Sequence, residues 1–269
     1  MKLVTTALSL GLFMNFPAAL HSQSAPSDRV QVAPAPIQNT NSIDPNASAE
    51  ELEIRADRLR AAKEFADALD VYRAALAKKP ESAMLYNKRG ICELLEQRYR
   101  NAGSDFERAL RIDRSYAPAY NNLGVTEYAT RKYSKAIKQY EKAIRLEPSG
   151  ASYYSNLGAA YFAKKSWEKA TKAYSEAVNL NPDIFDESNR SGITGQVASP
   201  ADRAHFSFVL AKLYARSGRN DRSLEYLRRA MEEGYKGVNE VYSDSDFSSL
   251  RKDPRFAQLM SARPMSIPE

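Results

Sequence analysis

Apolar positions along the chain repeat with a fixed period of 34 residues, and polar residues fill most of the positions between them. Four sets of equivalent residues share this period. Each repeat has a first alanine (Ala68, Ala102, Ala136 and Ala170) and, seven residues later, a second alanine (Ala75, Ala109, Ala143 and Ala177). One aromatic residue lies between the two alanines (Tyr72, Phe106, Tyr140 and Tyr174), and another precedes the first alanine (Phe65, Tyr99, Tyr133 and Trp167). A repeat of this length accommodates two antiparallel helices of about 12–14 residues and a short turn. The pattern therefore predicts an all-α chain of stacked helix pairs.

Small residues and prolines recur at two further positions of each repeat. The first helix carries Ala56, Gly90, Gly124 and Gly158, and the units close with Pro80, Arg114, Pro148 and Pro182. We expect the small residue to let the second helix approach closely, with the first alanine of that helix in contact with it. We expect the second alanine to leave room for the first helix of the next unit. Proline ends the second helix because it cannot continue the backbone hydrogen bonding.

These repeats resemble the tetratricopeptide repeat family. The third unit matches its signature at Tyr120, Leu123, Gly124, Ala136, Tyr140, Ala143 and Pro148. The fourth unit matches it at Tyr154, Leu157, Gly158, Tyr161, Ala170, Tyr174, Ala177 and Pro182. The second unit departs from it, with Arg89 where leucine is expected and Glu93 where tyrosine is expected. The resemblance implies a right-handed superhelical solenoid of antiparallel helix pairs.

The repeats divide most of the chain into segments. Regular units span residues 49–82, 83–116, 117–150 and 151–182, and a degenerate fifth unit spans residues 204–235. Ala230 follows its counterpart Ala177 by 53 residues, so 19 residues are inserted, and we expect a polar loop at 183–203. Residues 236–269, with Asp253 as a helix N-cap, are expected to cap the open end of the last unit. This ending resembles that of many exported bacterial repeat proteins.

The N-terminal residues have the pattern of a secretory signal. Lys2 precedes an apolar stretch from Leu3 to Leu20, and small residues at Ser22 and Ser24 permit cleavage before Ala25. We therefore expect a signal peptide at 1–24, a disordered proline-rich linker at 25–48, and an exported protein, periplasmic or secreted, without stable membrane insertion after cleavage. The alternative is an uncleaved N-terminal membrane anchor, because the apolar stretch is near the minimum length for a span.

The charge pattern bears on a nucleic-acid partner, and the cysteine content bears on disulfide formation. The net charge is +6, but lysines and glutamates alternate along the helices, which is typical of a solvated helical face. No block of like charge is long enough to predict a nucleic-acid partner. Cys92 is the only cysteine, so it cannot form an internal disulfide, and we expect it to be a small buried core residue.

No set of residues suggests catalysis or a cofactor. The sequence has no glycine-rich phosphate loop and no Cys/His spacing that suits zinc. His205 stands alone, and we expect it to be a surface or capping residue. Asp183, Asp186 and Glu187 cluster before the fifth unit, where either calcium binding or a solvated acidic turn fits. We predict that the protein is not an enzyme and holds no metal.

The family resemblance places function on a concave groove lined by the first helices. Carried over by position, its residues are Met84, Asn87, Ile91, Leu94, Leu95, Asn121, Val125, Tyr128, Ser155, Ala159 and Phe162. The asparagines suit a peptide backbone, and Tyr128 and Phe162 suit apolar anchors facing solvent. Alternatively, some of these residues pack against the neighbouring repeat. The predicted function is a scaffold that binds a protein or peptide segment; the alternative is a structural subunit of a cell-envelope assembly.

Overall fold

The computed structural model of the chain describes residues 43–185 and 200–262. The predicted signal peptide, most of the predicted linker, residues 186–199 of the insertion, and residues 263–269 lie outside this range. Within it, no helix is both long enough and apolar enough to cross a bilayer.

Eleven α-helices form the described part of the chain, which contains no β-strand. The first helices of the four regular units are α1 (Ala49–Ala61), α3 (Ala83–Leu95), α5 (Ala117–Ala129) and α7 (Ala151–Ala163). The second helices are α2 (Phe65–Lys78), α4 (Tyr99–Ile112), α6 (Tyr133–Leu146) and α8 (Trp167–Leu180). Each of the helices α2 to α7 packs mainly on its two neighbours in the chain, which is the arrangement of a solenoid. The predicted all-α fold of helix pairs is confirmed.

In the second, third and fourth units, the glycine of the first helix lies against the aromatic residue between the two alanines of the second helix. A Cβ atom at Gly124 would approach Tyr140 Cε1 to 2.5 Å, and one at Gly158 would approach Tyr174 Cδ1 to 2.5 Å. The ring of Tyr140 thus supplies the nearest atoms to Gly124, and Ala136, the first alanine, is buried in the same cluster as that ring. The aromatic ring is long enough to reach the glycine, and it is almost completely buried there.

The second alanine lies at the boundary between units. Ala143 of α6 is buried in a cluster with Ala117 and with Tyr153 of the following unit, so it leaves room for α7 as expected. The helix ends are equally regular. Helix α4 ends at Ile112 although Arg114 replaces the proline, and Asp113 Oδ1 accepts the Ser115 N–H at 2.8 Å. An aspartate turn therefore replaces proline at this boundary.

The second unit replaces part of its apolar contact by an ion pair. Arg89 of α3 donates to Asp105 of α4 through Nε at 2.7 Å, and a second bond joins the same two groups. Asp105 is buried, and the paired geometry satisfies both of its oxygens. The departure from the family pattern at Arg89 is thus accommodated by a partner on the opposite helix.

The end of the predicted linker is ordered. Ser48 caps α1, its Oγ accepting the Glu51 N–H while Glu51 accepts the Ser48 N–H, and Ile43 packs against the first unit. The prediction of disorder up to residue 48 is wrong for residues 43–48. A capping box and an apolar contact hold this segment in place.

The fifth unit consists of α9 (Pro200–Arg216) and α10 (Asn220–Glu232). Helix α9 begins inside the segment 183–203 that was predicted as a loop, because proline is well suited to a first helical position. Three short 3₁₀ helices follow at Val238–Tyr242, Ser245–Phe247 and Leu250–Lys252, and α11 spans Pro254–Ala262. Phe247, Leu250 and Phe256 are buried in one cluster with Leu227 of the fifth unit. The C-terminal segment therefore covers the apolar surface of that unit.

Candidate functional site

The first helices α3, α5 and α7 lie side by side and are joined by asparagine side chains. Asn122 Nδ2 donates to Asn87 Oδ1 at 2.9 Å, and Asn156 Nδ2 donates to Asn121 Oδ1 at 2.9 Å. Asn121 and Asn122 also bond to each other at 3.3 Å. We call Asn87, Asn121, Asn122 and Asn156 the amide ladder, and the face formed by α1, α3, α5 and α7 the first-helix face. Both inter-helix bonds join residues 35 apart, so the period itself aligns donor and acceptor.

The first two units are joined by an ion pair with the same 35-residue spacing, between Glu53 and Lys88. Lys88 of α3 donates to Glu53 of α1, and also to Asp57 Oδ2 at 2.6 Å. Partial burial by itself would raise the pKa of Asp57, but hydrogen bonds from Lys88 and Tyr72 outweigh it and lower the pKa. Burial likewise acts to lower the pKa of Lys88, and its two carboxylate partners raise it. This end of the face therefore carries an ion cluster in place of amides.

In the first unit, the apolar residue Ile54 occupies the position equivalent to the hydrogen-bond donors Lys88, Asn122 and Asn156. Ile54 lies 34 residues before Lys88, in the first of the described units, and it is one of the exposed large apolar residues. At the C-terminal end, Val209 lies 53 residues after Asn156, the same offset that relates Ala230 to Ala177. Valine has no side-chain donor, so the amide ladder ends at α7.

The second unit places the predicted apolar groove residues at the surface. Met84 is 43% exposed and Leu95 is 50% exposed, at opposite ends of α3. Ile91 and Leu94 are half-buried and pack beside Leu123. Val125 of α5 is half-buried as well. This part of the first-helix face offers apolar contact surface to a partner, next to the amide ladder.

The third and fourth units differ from the prediction, because the two expected anchors do not face solvent. Tyr128 is only 8% exposed and its ring centroid lies 5.2 Å from that of Tyr133. Phe162 is 4% exposed, with the ring of Trp167 at 4.7 Å and that of Phe206 at 5.9 Å. The packed rings, including one from α9, leave both side chains little access to solvent.

The remaining predicted groove residues are also buried. Asn87 and Asn121 use their side chains in the amide ladder. Ser155 and Ala159 are each 5% exposed on α7. The sequence-based prediction did not include Asn122, Asn156 and Lys88, although the 34-residue spacing of the three was a visible signal for equivalent roles. Their partners became evident only when adjacent first helices were placed side by side.

His205, Cys92 and Asp183 each have packing or pairing contacts that a structural role explains. His205 was predicted to be a surface or capping residue, but its ring lies 4.5 Å from Trp167 and 5.6 Å from Phe162. Cys92 is buried as expected, and burial raises the pKa of its thiol to about 12. Asp183 pairs with Arg219 at 3.2 Å, whereas Asp186 and Glu187 of the calcium alternative lie outside the described residues. Residues 43–185 and 200–262 contain no His/Cys/Asp/Glu group suited to a metal ion.

Three family models match parts of the chain, and solved structures are similar to it. Two sequence family models described as tetratricopeptide repeat match residues 55–117 and 151–184, and a third, described as TPR repeat, matches residues 126–165. No curated protein matches significantly. Among solved structures, MamA is 21% identical with a TM-score of 0.47, covering 68% of this chain and 96% of its own. YrrB, titled a TPR protein with an unusual peptide-binding site, is 17% identical with a TM-score of 0.46, covering 73% and 91%.

Proposed function

Since the chain is a tetratricopeptide repeat protein, we propose that it is a non-catalytic scaffold that binds a segment of another protein on its first-helix face. The observation that carries the proposal is the exposure of Met84 and Leu95 on α3. Two large apolar side chains on one helix, beside half-buried Ile91 and Leu94, form a surface that gains free energy when a partner covers it.

The proposed contact surface differs from the one predicted by position. Its apolar part is centred on the second unit, because Tyr128 and Phe162 are buried in the third and fourth. The half-buried Asn122 of the amide ladder borders this apolar part and provides polar groups for a peptide backbone. The ion cluster of Lys88, Glu53 and Asp57 borders it on the other side. A segment with apolar side chains and an accessible backbone fits this combination best.

The test compares exposed residues on the two helix faces. A peptide selected against the full chain from a displayed library serves as the probe, and its affinity is measured by fluorescence anisotropy. The double variant Met84→Ser, Leu95→Ser should lose about 2 kcal/mol or more of binding free energy. Because both side chains are exposed, the melting temperature should remain near that of the wild type.

A matched control uses Leu146 and Leu180, which are each 44% exposed at equivalent positions of the second helices α6 and α8. The double variant Leu146→Ser, Leu180→Ser should retain the affinity of the wild type. The opposite result, with loss only in the second-helix variant, would transfer binding to the other face. That result would favour the alternative of a structural subunit in an envelope assembly.

We also propose that the protein acts after export, as the pattern of residues 1–24 indicates. N-terminal sequencing of protein from the exported fraction should begin at Ala25 or within a few residues of it. A chain that still begins at Met1 would support the membrane-anchored alternative.

A further inference from the structure

We propose a second binding surface, separate from the first-helix face, that takes a short acidic segment of another protein. It is formed where α5 turns into α6 and where α7 turns into α8. We call it the basic edge, and it consists of Arg131, Lys132, Lys135, Lys164, Lys165 and Lys169.

The positive charge of the chain is concentrated around these two turns. Residues 127–172 contain ten lysines and arginines and four glutamates, a net charge of +6 that equals the net charge of the whole chain. In the sequence these cations are distributed over two turns 34 residues apart. The fold brings the turns together, because Lys164 Nζ of the second turn donates to Ser134 Oγ beside the first turn at 2.8 Å.

Most of this charge is not neutralised by neighbouring carboxylates. Lys132 pairs with Glu127 at 3.4 Å, and the ammonium group of Lys169 lies 5.6 Å from the centre of the Tyr161 ring. In the part of the chain that the structure describes, Arg131, Lys135 and Lys165 are exposed and have no carboxylate partner. The basic edge therefore attracts anions without first breaking an internal ion pair of these three residues.

Two of these cations occupy strained backbone positions. Lys63, Gln97, Arg131 and Lys165 are equivalent turn residues with φ of 65°, 58°, 59° and 57°. A residue with a Cβ atom adopts this left-handed conformation less readily than glycine does. The fifth unit has Gly218 there, with φ of 74° and open space around it. Gln97 shows that the turn itself needs no positive charge, so the folding of the turn does not explain the cations.

The geometry indicates the size of the ligand group. A shallow cavity of about 210 Å³ lies between the two turns. Its lining residues are Arg131, Lys132, Tyr133, Ser134, Lys135 and Lys164. This space is sufficient for one carboxylate side chain. Adjacent packed helices lie about 8–10 Å apart, and an extended chain advances about 3.3 Å per residue. Acidic residues three positions apart therefore match the two turns.

The flanking turns favour a short protein segment over a membrane or a nucleic acid. The turn of the first unit has Glu64 beside Lys63, and that of the second has Glu96 beside Arg98. Glu96 lies 3.6 Å from Arg98, so that cation is already paired. A lipid surface or a long polyanion would meet these carboxylates as well. A segment a few residues long contacts only the two basic turns.

The experiment measures the anisotropy of a fluorescein-labelled peptide with glutamates at every third position and glycines between them. The full chain should bind it, and a peptide with glutamine in place of glutamate should not bind. The variant Arg131→Gln, Lys135→Gln, Lys165→Gln should weaken binding by about tenfold, because it removes three exposed ion pairs that each contribute a modest part of the affinity. The control Lys63→Gln, Lys236→Gln, Lys252→Gln changes the net charge equally at other exposed positions, and it should weaken binding less than about twofold.

Three results would overturn the proposal. Equal weakening by both triple variants would mean diffuse attraction and no defined surface. Failure of the wild type to bind the glutamate peptide would exclude an acidic segment. Tighter binding to vesicles with phosphatidylserine, or to single-stranded RNA, with the same sensitivity to the edge variant would assign the surface to another partner class. The Met84→Ser, Leu95→Ser variant should bind the glutamate peptide as the wild type does, so the two binding surfaces are tested independently.

Discussion

The junctions among the second, third and fourth units differ in chemistry from the junction between the fourth and fifth units. Between the second, third and fourth units, the first helices are linked by the amide ladder. Between the fourth and fifth units, aromatic rings take its place. We call this second region the aromatic junction, which consists of Phe162, Trp167, Tyr174, His205 and Phe206.

The difference follows from the insertion in the sequence. A hydrogen bond requires donor and acceptor within a few tenths of an ångström of the preferred distance, and a strict period reproduces that alignment in every unit. The offset between the fourth and fifth units is 53 residues, and Val209 replaces the asparagine. Apolar packing is not directional, so large rings fill this interface without repeating the regular geometry. Regular spacing thus permits polar junctions, and an interrupted period is accommodated by apolar ones.

The largest expected effect is at the aromatic junction. Phe162→Ala removes a buried ring that contacts both the fourth and the fifth unit. The free energy of unfolding should fall by about 3–5 kcal/mol, as measured by urea denaturation. Leu95→Ala, at an exposed position of α3, serves as the control and should change it by less than about 0.5 kcal/mol. Similar small losses for both variants would show that the aromatic junction does not stabilise the chain.

A smaller loss is expected at the amide ladder. Asn121→Ala removes the acceptor of Asn156 Nδ2 and leaves that buried amide group without its partner. The free energy of unfolding should fall by about 1–3 kcal/mol. Asn101→Ala changes an exposed asparagine on α4 and should be nearly neutral. If the two variants unfold alike, the amide ladder contributes no net stability and the comparison with the aromatic junction fails.

The period predicted the helices more completely than it predicted the contacts between units. Gly124 and Tyr140 were visible as equivalent positions, so the helix pair followed from the spacing alone. The contacts of each residue were harder to infer, because the period does not predict that the ring of Tyr140 lies against Gly124. Side-chain length decides which atom reaches the glycine, and spacing does not contain that information.

Exposure was the least predictable property of the candidate site. Tyr128 and Phe162 occupy positions that the family resemblance assigns to a groove, yet the packed rings around them hide both side chains. For Phe162 those rings include one from α9, which lies beyond a 19-residue insertion and was not placed by the period. The basic edge was also hidden in the sequence, because its two turns lie 34 residues apart.

Removing the hydroxyl group from the equivalent residues Tyr72 and Tyr140 should change the free energy of unfolding by a smaller amount. The direction of the change should differ between the two positions. Tyr72 Oη donates to Asp57 at 2.6 Å, whereas Tyr140 Oη is buried without a hydrogen-bond partner among the described residues. Tyr72→Phe should lower the free energy of unfolding by about 1–2 kcal/mol. Tyr140→Phe should leave it unchanged or raise it slightly, since Phe106 fills the same position in the second unit. Equal losses in denaturant titrations would contradict the assignment of polar stabilisation to the first unit alone.

The smallest expected effect is a pH dependence confined to the aromatic junction. Burial lowers the pKa of His205, against the opposing influence of Glu240 and Asp202. The ring stacks on Tyr235 at 5.6 Å and lies beside Trp167, so protonation would place a charge among packed rings. A lowered pKa means that the unfolded chain binds the proton more readily than the folded chain. The contribution of neutral His205 to stability is therefore complete above the unfolded pKa near 6.5 and decreases as the pH falls through and below that value.

Melting curves recorded between pH 5 and pH 8 separate this contribution from that of the carboxylates. The wild type should lose melting temperature below about pH 6.5, and His205→Phe should lose less over the same range, because the substituted ring cannot be protonated. The ion cluster of Lys88, Glu53 and Asp57 is unchanged in both proteins and serves as an internal reference. The lowered pKa of Asp57 makes its contribution decrease only at more acidic pH. Parallel pH profiles for the two proteins would show that His205 is not desolvated, and the aromatic junction would then be more open to water than its ring distances indicate.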